Sequence, residues 1–97
     1  MKIYDLKPVY GQKSFYGKAV VCEYSANLIV LKSYNTEVCR IDHGDLVRMW
    51  DGYSSTTQKH VIAFCDLFGI ESGGKSWWLS LPVDNKNIVT DIIKAIA

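Results

Sequence analysis

Five residues in this chain carry side chains that bind transition metals well: Cys22, Cys39, His43, His60 and Cys65. A structural zinc site takes four such ligands, ordinarily in pairs a few residues apart. Here the successive gaps are 17, 4, 17 and 5 residues, and the cysteines lie in apolar runs where a thiol packs as a small hydrophobe. The spacing speaks for reduced, buried cysteines, and no disulfide, metal or cofactor is expected. Nucleophilic chemistry would need a hydroxyl or thiol beside a base. Thr56 and Thr57 stand four and three residues before His60, the spacing that shares a helix face. Hydroxyls in front of an amphipathic run are first of all helix caps, however, and no glycine-flanked nucleophile motif is present. His60 reads as a partly buried, hydrogen-bonded histidine beside an apolar stripe, and no catalytic residue is assigned.

Two further patterns concern binding. The hydroxyl run Ser54, Ser55, Thr56 and Thr57 at a helix start, with Lys59, His60 and Arg48, could hold an anion such as a phosphate on exposed backbone N–H groups. Gly69 to Ser76 matches the letters of a phosphate-binding loop, Gly-x-x-x-x-Gly-Lys-Ser. That motif works between a buried strand and a long helix, whereas here it follows a helical pattern in a short chain. Aromatic residues are the other pattern: Tyr10, Tyr16, Tyr24, Tyr34, Trp50, Tyr53, Trp77 and Trp78 are many for a small core. Tyrosine and tryptophan dominate protein-binding hot spots, and adjacent Trp77 and Trp78 do not easily both turn inward.

The elements that must position these residues are legible from periodicity. Asp51-Gly52 is a turn dipeptide, Ser55 with Gln58 fits a capping box, and Thr57, Val61, Phe64, Cys65 and Phe68 form one apolar stripe, with Lys59, Ala63 and Asp66 off it. Gly69 suits the left-handed residue after a helix, so a helix is expected over about 55–68. Before it, residues 16–24 and 28–34 read as a hairpin turned at Ser25-Ala26-Asn27. After a break at Asn35-Thr36, residues 37–41 alternate, with Cys39 and Ile41 on one face and Val38 and Arg40 on the other. Asp42-His43-Gly44-Asp45 turns the chain into a strand over 46–50. Residues 1–15 suit a short edge strand followed by a loop. Ser76 to Leu81 favours a single helical turn, and Ile88, Val89, Ile92, Ile93 and Ile96 predict a helix over about 84–97. The fold class expected is α+β, a single domain over 1–97 with an antiparallel meander sheet of four or five strands covered by two helices.

The composition is 48% hydrophobic and 22% charged, which excludes a disordered chain. The formal charge of +1 provides no overall field for nucleic acid, although residues 1–34 carry five lysines against two acids. No apolar run approaches the length of a membrane span or signal peptide, so a soluble cytoplasmic protein, with homo-oligomers open, is the expectation.

Three segments read together carry a resemblance: Lys13 to Ala19 (Lys-Ser-Phe-Tyr-Gly-Lys-Ala), Leu31 to Val38 with its Ser-Tyr-Asn-Thr core, and Trp50 to His60 with Tyr-Ser-Ser-Thr-Thr-Gln-Lys-His. In this order they resemble small uncharacterised proteins of Firmicutes and their phages. The resemblance implies action in a bacterial cytoplasm and supplies no catalytic residue. The function expected is a noncatalytic binding protein that blocks or modulates a bacterial host protein, for example a defence-system inhibitor of the anti-CRISPR kind. The alternative is a nucleotide or nucleic-acid module using Ser54 to His60 as an anion site. Candidate binding residues are Tyr53, Ser54, Ser55, Thr56, Lys59, His60, Trp77 and Trp78.

Overall fold

A computed structural model of the chain describes residues 1–8 and 17–85. Five strands, β1 (Lys2–Asp5), β2 (Ala19–Ser25), β3 (Leu28–Ser33), β4 (Thr36–Asp42) and β5 (Asp45–Arg48), pair antiparallel in sequence order. Two helices follow, α1 (Ser55–Leu67) and the short α2 (Lys75–Ser80), making an α+β fold. The meander follows from the short connections, which leave each strand no neighbour but the next. The helix expected over about 84–97 falls almost wholly on residues outside those described, as does the loop expected before Tyr16.

Two hairpins close with two-residue turns whose central residues are both left-handed. Tyr34 and Asn35 have φ of 50° and 69° between the paired Ser33 and Thr36. His43 and Gly44 have 51° and 89° between Asp42 and Asp45. Such turns match the twist of the flanking strands, and Asn35 and Gly44 tolerate that region well. The turn takes Tyr34 out of the strand in which its β propensity placed it. Tyr34 is left 52% exposed on a backbone conformation that bulky residues avoid.

Both faces of the sheet are apolar, because β3 reads Leu28-Ile29-Val30-Leu31 and buries all four. Ala19, Val21, Ile29, Leu31, Cys39 and Ile41 meet Val61, Phe64 and Cys65 of α1, while Cys22, Leu28, Val30 and Met49 cluster on the opposite face. Val38 lies in the α1-facing cluster with Cys39 and Ile41 rather than opposite them. The cause is a bulge: Leu31 pairs with Cys39 but Lys32 pairs with Glu37, so Val38 is an extra residue that breaks the alternation. Ala63 is buried too, because α1 turns a wider arc inward than its stripe of large residues marks.

The ends of α1 are chemically defined. Ser54, not Ser55, is the N-cap, its hydroxyl accepting from the Thr57 N–H at 3.0 Å. Gln58 donates to the Gly73 carbonyl at 2.8 Å instead of closing a capping box, tying α1 to the start of α2. At the other end Gly69 (φ 70°) donates to Asp66 and Ile70 to Cys65, the Schellman pair of bonds. Ser54→Ala should therefore cost about 1 kcal/mol in urea unfolding and Ser55→Ala close to nothing. Equal effects would place the cap elsewhere.

Candidate functional site

The three aromatic residues Tyr34, Trp50 and Tyr53 come together at one end of the sheet, beside the start of α1. They line an open hollow of about 230 Å³ with Ser33, Thr36, Val38, Ser54 and Thr57. The β3–β4 turn brings Tyr34, the exit from β5 brings Trp50, and the segment leading into α1 brings Tyr53 and Ser54. None of the eight lining residues is charged. A lysine flanks them, the Lys75 ammonium sitting 5.1 Å from the centre of the Tyr53 ring, and the backbone of Lys18 holds the turn, its carbonyl accepting from the Tyr34 N–H.

The floor is a buried relay of polar side chains. The Ser33 hydroxyl lies 2.8 Å from His60 Nδ1 and 3.1 Å from the Thr57 hydroxyl. His60 is fully buried, more than its place beside the stripe implied, with its ring 5.8 Å from that of Tyr34. A serine 2.8 Å from an imidazole is also the contact of a nucleophile with its base. Here the serine is 2% exposed and shares its hydroxyl with Thr57, so its geometry is that of a fixed floor.

Burial, and secondarily the Lys18 charge, hold His60 below the ordinary histidine value of 6.5. The sign follows from linkage: the unfolded chain takes up a proton as pH falls below 6.5, and the folded one resists it. Stability from this group is complete above that value and declines as pH falls below it. The urea midpoint should drop between about pH 7 and pH 5, with a smaller drop in His60→Gln. A wild-type profile that is flat there, or matches the variant's, would remove His60 as the cause.

Behind the aromatic wall stands a lock built on Arg48. Its guanidinium donates to the carbonyls of Trp50 and Asp51 at 2.9 Å, Leu81 at 3.2 Å and Gly52 at 3.4 Å, and lies 4.9 Å from the centre of the Trp78 ring. Trp78 Nε1–H donates to the Gly52 carbonyl at 2.9 Å. A Cβ at Gly52 would run into the Trp50 ring, so a larger residue there would have to displace that ring. Arg40 grips the same C-terminal stretch from the other face of the sheet, donating to the Asp84 carbonyl at 3.1 Å and pairing with its carboxylate at 3.3 Å. Val83 bridges to Arg48 in parallel, covering the outer edge of β5.

Of the residues singled out by sequence, Tyr53 and Ser54 line the hollow and His60 lies beneath it. Ser55, Thr56 and Lys59 are exposed on α1 and are not part of the lining. Arg48 is buried against carbonyls and unavailable to an anion. Trp78 is buried and Trp77 half-buried, so the helical turn sends one ring inward and lays the other over Gly73. The phosphate-loop letters run from the C-terminal glycine of α1 to the start of six-residue α2, which is not a strand-to-helix loop. Among the described residues no three of His, Cys, Asp and Glu gather as metal ligands, and the three cysteines are buried free thiols. Burial pushes Cys65 up to about 11 and, with Cys65 nearby, Cys39 well above its ordinary value. A second hollow of about 530 Å³ lies between residues 4–8 and α1.

A family model spans residues 4–80, from β1 to the end of α2. The chain belongs to a family of unknown function, DUF8033. The DUF8033 match covers every residue that lines the aromatic hollow, and both Trp77 and Trp78. It stops short of the stretch 81–84 that Arg40 and Arg48 hold. No curated protein and no solved structure matches the chain. No helix among the described residues is long and apolar enough to cross a membrane.

Proposed function

We propose that this domain is a noncatalytic recognition protein that blocks or modulates a bacterial host protein, with the hollow of Tyr34, Trp50 and Tyr53 as its contact surface. What supports the reading is above all the exposure of Tyr34. A large aromatic ring is displayed on a left-handed backbone residue, a conformation that costs about 1–3 kcal/mol, beside two further aromatics on a rigid, hydrogen-bonded floor. Strain and exposure together serve recognition rather than stability, and aromatic anchors carry most of the energy of protein interfaces. The phage-like resemblance of the three sequence segments supports a partner in the bacterial cytoplasm, defence nucleases included.

Tyr34→Gly separates function from folding, since glycine suits φ 50° and removes only the ring. The variant should be as stable as the wild type or more so. A photo-crosslinking residue at Thr36 should capture one bacterial protein in proportion to its amount, and one at Asp45, on the far turn, should not. Capture, and the change in that protein's activity, should vanish in Tyr34→Gly. Equal capture from both positions, or capture indifferent to Tyr34, would reject the reading.

A further inference from the structure

Resting on that reading, we infer that the hollow takes a proline-rich segment of the partner, held in the polyproline II conformation and flanked by acidic residues. The shape excludes a large occupant: about 230 Å³, open to solvent, is smaller than the pockets that enclose drug-sized ligands. It suits one or two small rings lying on a surface. Its walls are Tyr34, Trp50 and Tyr53, the aromatic types on which proline rings dock, and a polyproline II segment reaches such a site already ordered. That helix has no internal hydrogen bonds, so its carbonyls need donors, and Tyr53, Ser54 and Thr36, each bearing a hydroxyl, are among the lining residues. The absence of any charged lining residue disfavours an ionic side chain inside it. Outside it, the Lys75 ammonium over Tyr53 sets a positive flank that acidic neighbours of the prolines would complement.

The probe is a blocked peptide, Asp-Asp-Pro-Pro-Pro-Pro-Asp-Asp, titrated into the full chain and followed by backbone amide and tryptophan indole NMR shifts. Saturable shifts should centre on Thr36, Trp50, Tyr53 and Ser54. Affinity should fall by about tenfold or more when alanines replace the prolines, and again in Tyr53→Ala. Lysines in place of the aspartates should weaken binding, and added salt should reduce the difference. Shifts that do not saturate, that map away from the hollow, or that the alanine peptide reproduces would overturn the inference. So would tighter binding of a thymidine oligonucleotide at the same residues, which would make this a stacking site for single-stranded nucleic acid. If the peptide fails while Tyr34→Gly still abolishes capture of the bacterial protein, the site stands and only its ligand chemistry is wrong. If both fail, the recognition reading falls with it.

Discussion

Replacing Arg48 by methionine should remove a large share of this domain's stability. The residue is 5% exposed and its side chain donates to four backbone carbonyls, those of Trp50, Asp51, Gly52 and Leu81. Methionine keeps much of the volume and none of the donors. A buried acceptor left unmade costs about 1–3 kcal/mol, and even with relaxation and water entry the sum should reach about 3 kcal/mol or more. A domain of this size has only about 5–15 kcal/mol in total, so the urea midpoint should shift far toward zero. Arg48→Lys should recover less than half of the loss, because an ammonium on a flexible stem cannot reach carbonyls spread around a planar fork. In whatever fraction stays folded, the Trp50 and Gly52 backbone is released and the wall of the hollow goes with it. An unchanged midpoint in Arg48→Met would mean that water satisfies those carbonyls and that the lock is decorative.

The parts of the fold that sequence revealed are those with local causes. A helix over about 55–68 is legible because hydroxyls, a periodic stripe and Gly69 each mark one of its features, and the structure has it at Ser55–Leu67. The hairpins are legible from Asn27, Asn35 and Gly44 between β-rich runs. Where the reading failed, a tertiary cause had replaced a local one. Alternation assigns Val38 to the wrong face because a bulge is a property of two strands and leaves no mark on one of them. Serine at 55 fits a capping box as well as serine at 54 fits a plain cap, and the choice is made by Gln58, whose side chain is drawn away to Gly73.

The candidate site was half legible for the same reason. Tyr53 and Ser54 stand at a helix start and attract notice there, and Tyr34 and Trp50 belong to an aromatic surplus that composition shows. Nothing in the sequence joins the two groups, because the β3–β4 turn and the approach to α1 meet only through the sheet. Ser33 reads in the sequence as an ordinary serine at a strand end, although it is the residue that links His60 to Thr57. Arg48, read as a possible anion ligand, is the deepest misreading, and the burial of Arg40 is equally invisible in the sequence. Arginine is rarely buried unless its donors are satisfied, and the carbonyls of Leu81 and Asp84 lie 33 and 44 residues from the arginines that hold them. Only the folded chain brings those partners within reach.

Trp78→Ala should be the second severe substitution, and its contrast with Trp77→Ala tests the inward-outward assignment of the pair. Trp78 is 1% exposed, packs in the main core and donates to Gly52, so truncation should cost about 3–5 kcal/mol. Trp77 is half-buried over Gly73, and its loss should cost about 1 kcal/mol. Trp78→Phe isolates the indole N–H: a ring remains beneath Arg48, while the Gly52 carbonyl keeps only the long 3.4 Å contact from the guanidinium. A cost of about 1–2 kcal/mol is expected for that variant. Because Arg48 and Trp78 share the Gly52 carbonyl and stack on one another, their losses should not add. Each single variant leaves the Gly52 carbonyl one donor and the double variant Arg48→Met/Trp78→Phe leaves it none, so the double should be destabilised beyond the sum of the singles, by about 0.5 kcal/mol or more. Simple additivity would show two independent struts; an excess loss would show one unit that sets Gly52, and through Gly52 the Trp50 ring in the wall of the hollow.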